Sequence, residues 1–247
     1  MKRRARRPRA KSVRKRKRTS DWARIVAAIK NVEDDVDGAV AATFELDKAA
    51  TRAWLPRLHR LLARGRDFFI REAAAVPIAR LQGLRALSQL LHALHLGSKE
   101  GHDNDGLGSI VAGLVSTDPA RAAPILRRMI HARSERDRRD AAWLWGTAAP
   151  AVPLEPLLDC VNDRSAAVRS AAVGSLSSFA GGPGVFDALV RALSDPDEQT
   201  GVNAAAGLGY LGDARAIPKL RKALRDPKKR VREFARYALE RLEKPDA

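Results

Sequence analysis

The 247 residues carry a formal net charge of +17, are 45% hydrophobic but only 5% aromatic, and include a single cysteine, Cys160. No run approaches the ~20 apolar residues that cross a bilayer, no apolar stretch follows the basic N-terminus as in a secretory signal, and one thiol allows no internal disulfide; the expectation is a cytoplasmic protein with no membrane contact. The apolar load is mostly Ala, Leu and Val without sustained alternation of β-branched and polar residues, which argues against a β architecture and predicts an all-α fold.

The chain begins with its charge. Residues 1–18 hold twelve cations (Lys2, Arg3, Arg4, Arg6, Arg7, Arg9, Lys11, Arg14, Lys15, Arg16, Lys17 and Arg18) and no acid, which leaves +5 for the remainder. Such a segment has too little apolar surface to fold alone, so residues 1–20 are expected to be a disordered basic tail. Paired with phosphates it releases counterions, making it an arm for nucleic acid or another polyanion. It has no helix motif and no stacking aromatic, so the contact is expected to ignore base sequence. A targeting or solubilising extension, a nuclear address in a eukaryote, is the alternative.

Beyond the tail the text repeats. Near Asp35 the first helix of a unit is barely legible, but Leu55-Pro56-Arg57-Leu58 parallels Ile217-Pro218-Lys219-Leu220. Gly65 opens a unit containing Ile70-Arg71-Glu72-Ala73-Ala74, and further units open at Asp103, Arg133, Asp163, Asp195 and Asp226, at spacings of 30, 30, 32 and 31. A period near 30 in helical text signals a solenoid, because one helical hairpin cannot bury its own apolar face. With the last three aspartates aligned, Val168, Thr200 and Val231 share one offset, and Ala172, Ala204 and Ala235 the next. Leu176, Leu208 and Leu239 follow, then Phe179, Leu211 and Leu242, so the steps of four, four and three residues draw one stripe on a helix. Gly181-Gly182-Pro183 and Gly212-Asp213 are helix-ending turns, second helices are expected over 184–193 and 215–225, and Pro218 falls in a first turn. About six hairpins and a terminal helix are expected over 21–243, with 163–243 the most regular part and 244–247 disordered.

The segment from Asp195-Pro196-Asp197 through Ala204-Ala205-Ala206-Gly207-Leu208-Gly209-Tyr210-Leu211-Gly212-Asp213, Ala216-Ile217-Pro218, Ala223-Leu224-Arg225-Asp226-Pro227 and Val231-Arg232 resembles HEAT repeats, specifically the short variety of phycobilisome lyases. The resemblance is strong over 163–243, fair over 103–162 and weak before 100. It implies a right-handed α-solenoid with two helix layers. It does not imply one chemistry, since such relatives include pigment lyases, an iron hydroxylase, assembly factors and scaffolds. The hydroxylase relatives use His-Glu pairs, whereas His59, His92, His95, His102 and His131 precede Arg, Ala, Leu, Asp and Ala here. No residue is assignable to pigment handling, and nothing reproduces the aromatic and Asp constellation of HEAT-like DNA glycosylases.

Single residues are read against that background. Arg71, Arg139, Arg169 and Arg232 stand at one place in the repeat, which predicts bonds between neighbouring repeats. Lys219, Lys222, Lys228, Lys229 and Arg230 form either a second basic patch or the polar cap of a solenoid end. His92, His95, His102, Asp103 and Asp105 have metal-ligand chemistry, but the surrounding leucines read as an ordinary helix and Gly-His-Asp-Asn-Asp-Gly as a loop, so neither metal nor cofactor is expected. One of Trp143 and Trp145 should enter the core while the other faces outward, and Cys160 reads as a buried helix residue rather than a nucleophile. The resulting expectation is a non-catalytic scaffold that binds a protein partner on the exposed faces of its second helices, acidic at Glu155 and Asp159, basic at Lys219 and Lys222. The alternatives are a maturation factor of the lyase or hydroxylase kind and a DNA-processing enzyme.

Overall fold

A computed structural model describes residues 21–65, 68–99 and 105–243, and among these residues there is no strand. Helix α1 covers 21–30. Six pairs follow in chain order, each a first and a second helix: α2 (Val36–Ala49) and α3 (Leu55–Arg64), α4 (Phe68–Gln82) and α5 (Leu87–Lys99), α6 (Asp105–Thr117) and α7 (Pro119–Ile130), α8 (Glu135–Thr147) and α9 (Glu155–Cys160), α10 (Ala166–Ser175) and α11 (Val185–Ala192), α12 (Glu198–Leu211) and α13 (Ile217–Ala223). Helix α14 (Lys229–Glu243) is the terminal one. The fold is an all-α solenoid of helical hairpins, as the periodicity predicts.

Local chemistry sets the boundaries. Asp35, Asp118, Ser134, Ser165 and Asp197 each cap a helix N-terminus by accepting a backbone N–H three residues on, which satisfies donors the helix leaves unpaired. Proline sits in the first turn of α3, α7, α9 and α13, where its missing N–H is harmless. Gly212 ends α12 at φ 72°, and Gly181 and Gly184 reverse the chain before α11 at φ 81° and 83°, backbone conformations that a Cβ would strain.

The apolar stripe is the core. Val168, Thr200 and Val231, the three alanines and the three leucines are all buried. Thr200 is tolerated there because its Oγ1 donates to Asp197 Oδ2 at 2.8 Å. At the last offset Phe179 is buried, while Leu211 and Leu242 are half-exposed.

The chain divides into two compact units, one up to Leu114 and the other from Val115 on. In the N-terminal unit, α4 packs on α2, α3 and α5. In the C-terminal unit the first helices α8, α10, α12 and α14 pack in sequence, and α7, α11 and α13 lie against α8, α12 and α14. Glycine brings these first helices close: a Cβ on Gly209 of α12 would stand 2.9 Å from Ala238 Cα of α14, and one on Gly146 of α8 would stand 2.7 Å from Ser175 Cβ.

Candidate functional site

The recurrent charges are joints of the stack. Arg138 on α8 grips Asp163, the aspartate that opens the next unit, with Nε to Oδ2 at 2.7 Å and Nη2 to Oδ1 at 3.0 Å. Its Nη1 donates to its own loop at Ala132 O (3.1 Å) and Arg133 O (3.0 Å). Arg169 repeats the arrangement on Asp195 at 2.8 and 2.9 Å, with Nη1 on Asp163 O at 3.0 Å. The same aspartates accept the N–H two residues on, from Ser165 and Asp197. Both pairs are largely buried, with side chains 9% and 13% exposed in the first and 16% and 11% in the second. The Arg138 hydrogen bonds hold the Asp163 carboxyl below its ordinary range. Burial pushes Asp195 upward, but the bonds from Arg169 and from the Asp197 N–H outweigh it and leave that carboxyl lowered too.

This geometry confirms the expected repeat-to-repeat bond at Arg169 and corrects one register. Arg138, not Arg139, holds the place in α8, because its Nη1 reaches the carbonyl six residues back, as Arg169 does to Asp163 and Arg71 to Gly65. Ala132 therefore opens that unit instead of Arg133, and Arg139 pairs with Asp140 at 2.9 Å. Arg232 donates through Nη1 to Asp226 O and Pro227 O, both at 2.8 Å, while its Nε edge meets no carboxylate among the described residues.

At the corresponding place in α12 stands Gly201, which has no side chain to form the joint. Lys228 replaces it from the following loop: its Nζ donates to Asp195 O, the carbonyl an arginine at 201 would reach, and lies 3.9 Å from Asp226 Oδ1. This engages one of the residues singled out as a second basic patch. Arg230 donates to Gln199 Oε1 at 2.9 Å, and its backbone N–H to Glu198 Oε1 at 3.2 Å. Lys229 lies 3.6 Å from Glu233 one turn on. Lys219 and Lys222 are exposed on α13, as are Glu155 and Asp159 on α9.

The remaining singled-out residues are dispersed. Trp145 is fully buried and donates Nε1–H to Pro153 O at 2.8 Å, whereas Trp143 is half-exposed. Cys160 is buried in α9, and that burial, together with Asp163 and Asp159, pushes its thiol up to about 11, far from thiolate reactivity at neutral pH. His92 and His95 lie on α5, exposed and half-exposed. Among the described residues no three His, Cys, Asp or Glu side chains gather as a metal site. His102, Asp103 and the whole tail, residues 1–18, lie outside the described residues. No described helix is long and apolar enough to cross a membrane.

Two clusters escape the repeat pattern. On α12 and α14, Tyr210 and Tyr237 are both 63% exposed, with Arg241 5.4 Å over the Tyr210 ring. In the N-terminal unit, Trp22, Val26 and Lys30 of α1 face Arg57, Arg60, Leu61 and Arg64 of α3 across a groove of about 580 Å³. The four-residue spacing on α1 is legible in sequence, but its juxtaposition with α3 is a product of folding.

A family model described as HEAT repeats matches residues 122–201 and 186–247, together just over half the chain. The chain belongs to the HEAT-repeat family. No curated protein matches it. Among solved structures it is similar to the E. coli protein YibA, at 13% identity over 98% of this chain and 99% of that one, with a TM-score of 0.43. Human deoxyhypusine hydroxylase is similar at 15% identity over 92% and 96%, TM-score 0.43. A designed armadillo repeat protein in complex with the peptide (KR)4 is similar at 19% identity over 89% and 98%, TM-score 0.41.

Proposed function

We propose that this HEAT-repeat chain is a non-catalytic scaffold of the cytoplasm, binding a protein partner on its helical surfaces while residues 1–18 contact nucleic acid or another polyanion. The observation that supports this reading is the division of charge. Arg138, Arg169 and Lys228 are engaged in joints between repeats, whereas twelve cations without an acid precede the first described helix. The exposed faces of the second helices differ in sign, acidic at Glu155 and Asp159 and basic at Lys219 and Lys222, so a partner is distinguished by where along the stack it sits.

Binding of labelled DNA and RNA to the whole protein and to a version lacking residues 1–20, at low and moderate salt, tests the tail. The expected result is tight binding with a steep salt slope that disappears with the tail. Equal binding by both versions would transfer nucleic-acid contact to the helical body and end the scaffold reading.

A further inference from the structure

The groove of the N-terminal unit has a floor of one kind and a rim of another. Trp22 and Val26 of α1, Leu61 of α3 and Ile70 of α4 form the floor, each partly open to solvent. Lys30, Arg57, Arg60 and Arg64 form the rim, and among the described residues no carboxylate lines it. The spacings, four and four on α1 and three, one and three on α3, place each set on one helix face. None of the four cations has an ion pair among the described residues. Arg57 stands 5.8 Å over the Trp22 ring, and Arg60 Nε donates to Pro56 O at 3.2 Å, so both keep their charge uncompensated. Nearby Arg24 and Arg80, by contrast, pair with Glu45 and Asp47.

We infer that this groove docks an amphipathic acidic segment of a partner protein, with apolar side chains on the floor and carboxylates against the rim. The inference rests on the scaffold reading and names the chemistry of its partner. Arg57 to Arg64 covers two helical turns, roughly 10 Å, which matches the rise between acids about seven residues apart on a docked helix. An apolar floor rewards burial of leucine-like side chains. It offers a nucleobase neither a hydrogen bond nor a stacking plane at Val26, Leu61 or Ile70, and Trp22 is already engaged by Trp54, 5.3 Å away and edge-on, as well as by Arg57. The chain's own basic tail has the same sign as the rim and is repelled by it.

The test titrates the full-length protein with a labelled peptide of about four helical turns, leucines along one face and glutamates flanking them. A shuffled peptide of equal composition and a single-stranded oligonucleotide serve as comparisons. The ordered peptide is expected to bind about tenfold more tightly than the shuffled one. R60E/R64E and, separately, V26D should each weaken it about tenfold, while R60K/R64K stays near wild type. All these side chains are at least partly exposed, and circular dichroism checks that the fold is kept.

Equal binding of both peptides, indifference to the variants, or no binding into the millimolar range would overturn the inference. So would an oligonucleotide affinity that falls with R60E/R64E as far as the peptide's, since the groove would then take nucleic acid. Self-association that the groove variants abolish would make the occupant a second copy. Loss of DNA binding on removing residues 1–20, with no peptide bound, overturns the groove alone and leaves the proposed function standing.

Discussion

In the C-terminal unit Arg138 and Arg169, near the starts of their helices, turn inward and meet carboxylates; in the N-terminal unit the arginines of α3 stand along a groove that no carboxylate lines among the described residues. The residue type is the same and the consequence is opposite. Arg138 and Arg169 each close two joints at once, to a neighbouring aspartate and to their own loop, so their charge is invisible from outside. The N-terminal unit shares the loop bond, from Arg71 to Gly65 O, and adds another tie in Arg80 of α4, bonded to Asp47 at 2.8 Å and to Ala50 O at 3.2 Å. Position within the repeat, rather than abundance, decides which arginine is structural and which remains available to a partner.

That contrast can be broken by substitution. The largest effect is expected at Trp145→Ala, which removes a fully buried ring and its hydrogen bond to Pro153 O and should cost about 4 kcal/mol in urea unfolding. Arg138→Ala leaves the Asp163 carboxylate without its partner and should cost about 3 kcal/mol. Its pH dependence has a definite sign. Asp163 is lowered in the folded state, so its contribution is complete above the unfolded value near ~4 and is lost as pH falls through the folded value. Stability measured between neutral and strongly acidic pH should therefore fall more steeply for the wild type than for Arg138→Ala once pH drops below about 4.

Smaller effects sharpen the comparison. Gly209→Ala forces a methyl against Ala238 Cα and should cost about 2 kcal/mol by spreading α12 from α14. Lys228→Met should cost about 1 kcal/mol, since it leaves Asp195 O and Asp226 without the cation that stands in for a side chain at Gly201. Arg60→Ala, on the groove rim, should change stability by less than about 0.5 kcal/mol. A loss there as large as that of Arg138→Ala would mean that the rim, too, is a joint.

The repeat was legible from Asp163 onward because each unit carries an aspartate, an alanine and a leucine at fixed offsets, and these are the residues that cap, pack closely and fill the core. Register was lost by one residue at 133 because Ala132 opens that unit without an aspartate, and the doublet Arg138-Arg139 offers two arginines to align. The reach to the carbonyl six residues back and the grip on Asp163 separate them. The substitution of Lys228 for a side chain at 201 was illegible for another reason: the replacement comes from the next loop, so alignment by offset sees only a gap. The groove was hidden in the same way. Its stripes lie on α1 and α3, helices with no shared repeat pattern, and the cations of α3 read in isolation as an ordinary solvated face.

The joint at Arg169 has a consequence for how such a chain can grow. Residues 163–194 carry a donor at one end of the exchange and an acceptor at the other: Asp163 receives from the preceding arginine, and Arg169 gives to the following aspartate. A tandem copy of that segment would find a fitting neighbour on both sides, so duplication there is expected to be nearly silent. Residues 195–225 lack the donor and borrow it from Lys228. A copy of that segment is tolerated only where a lysine follows in the next loop, so the stack can lengthen freely at one seam and only conditionally at the next.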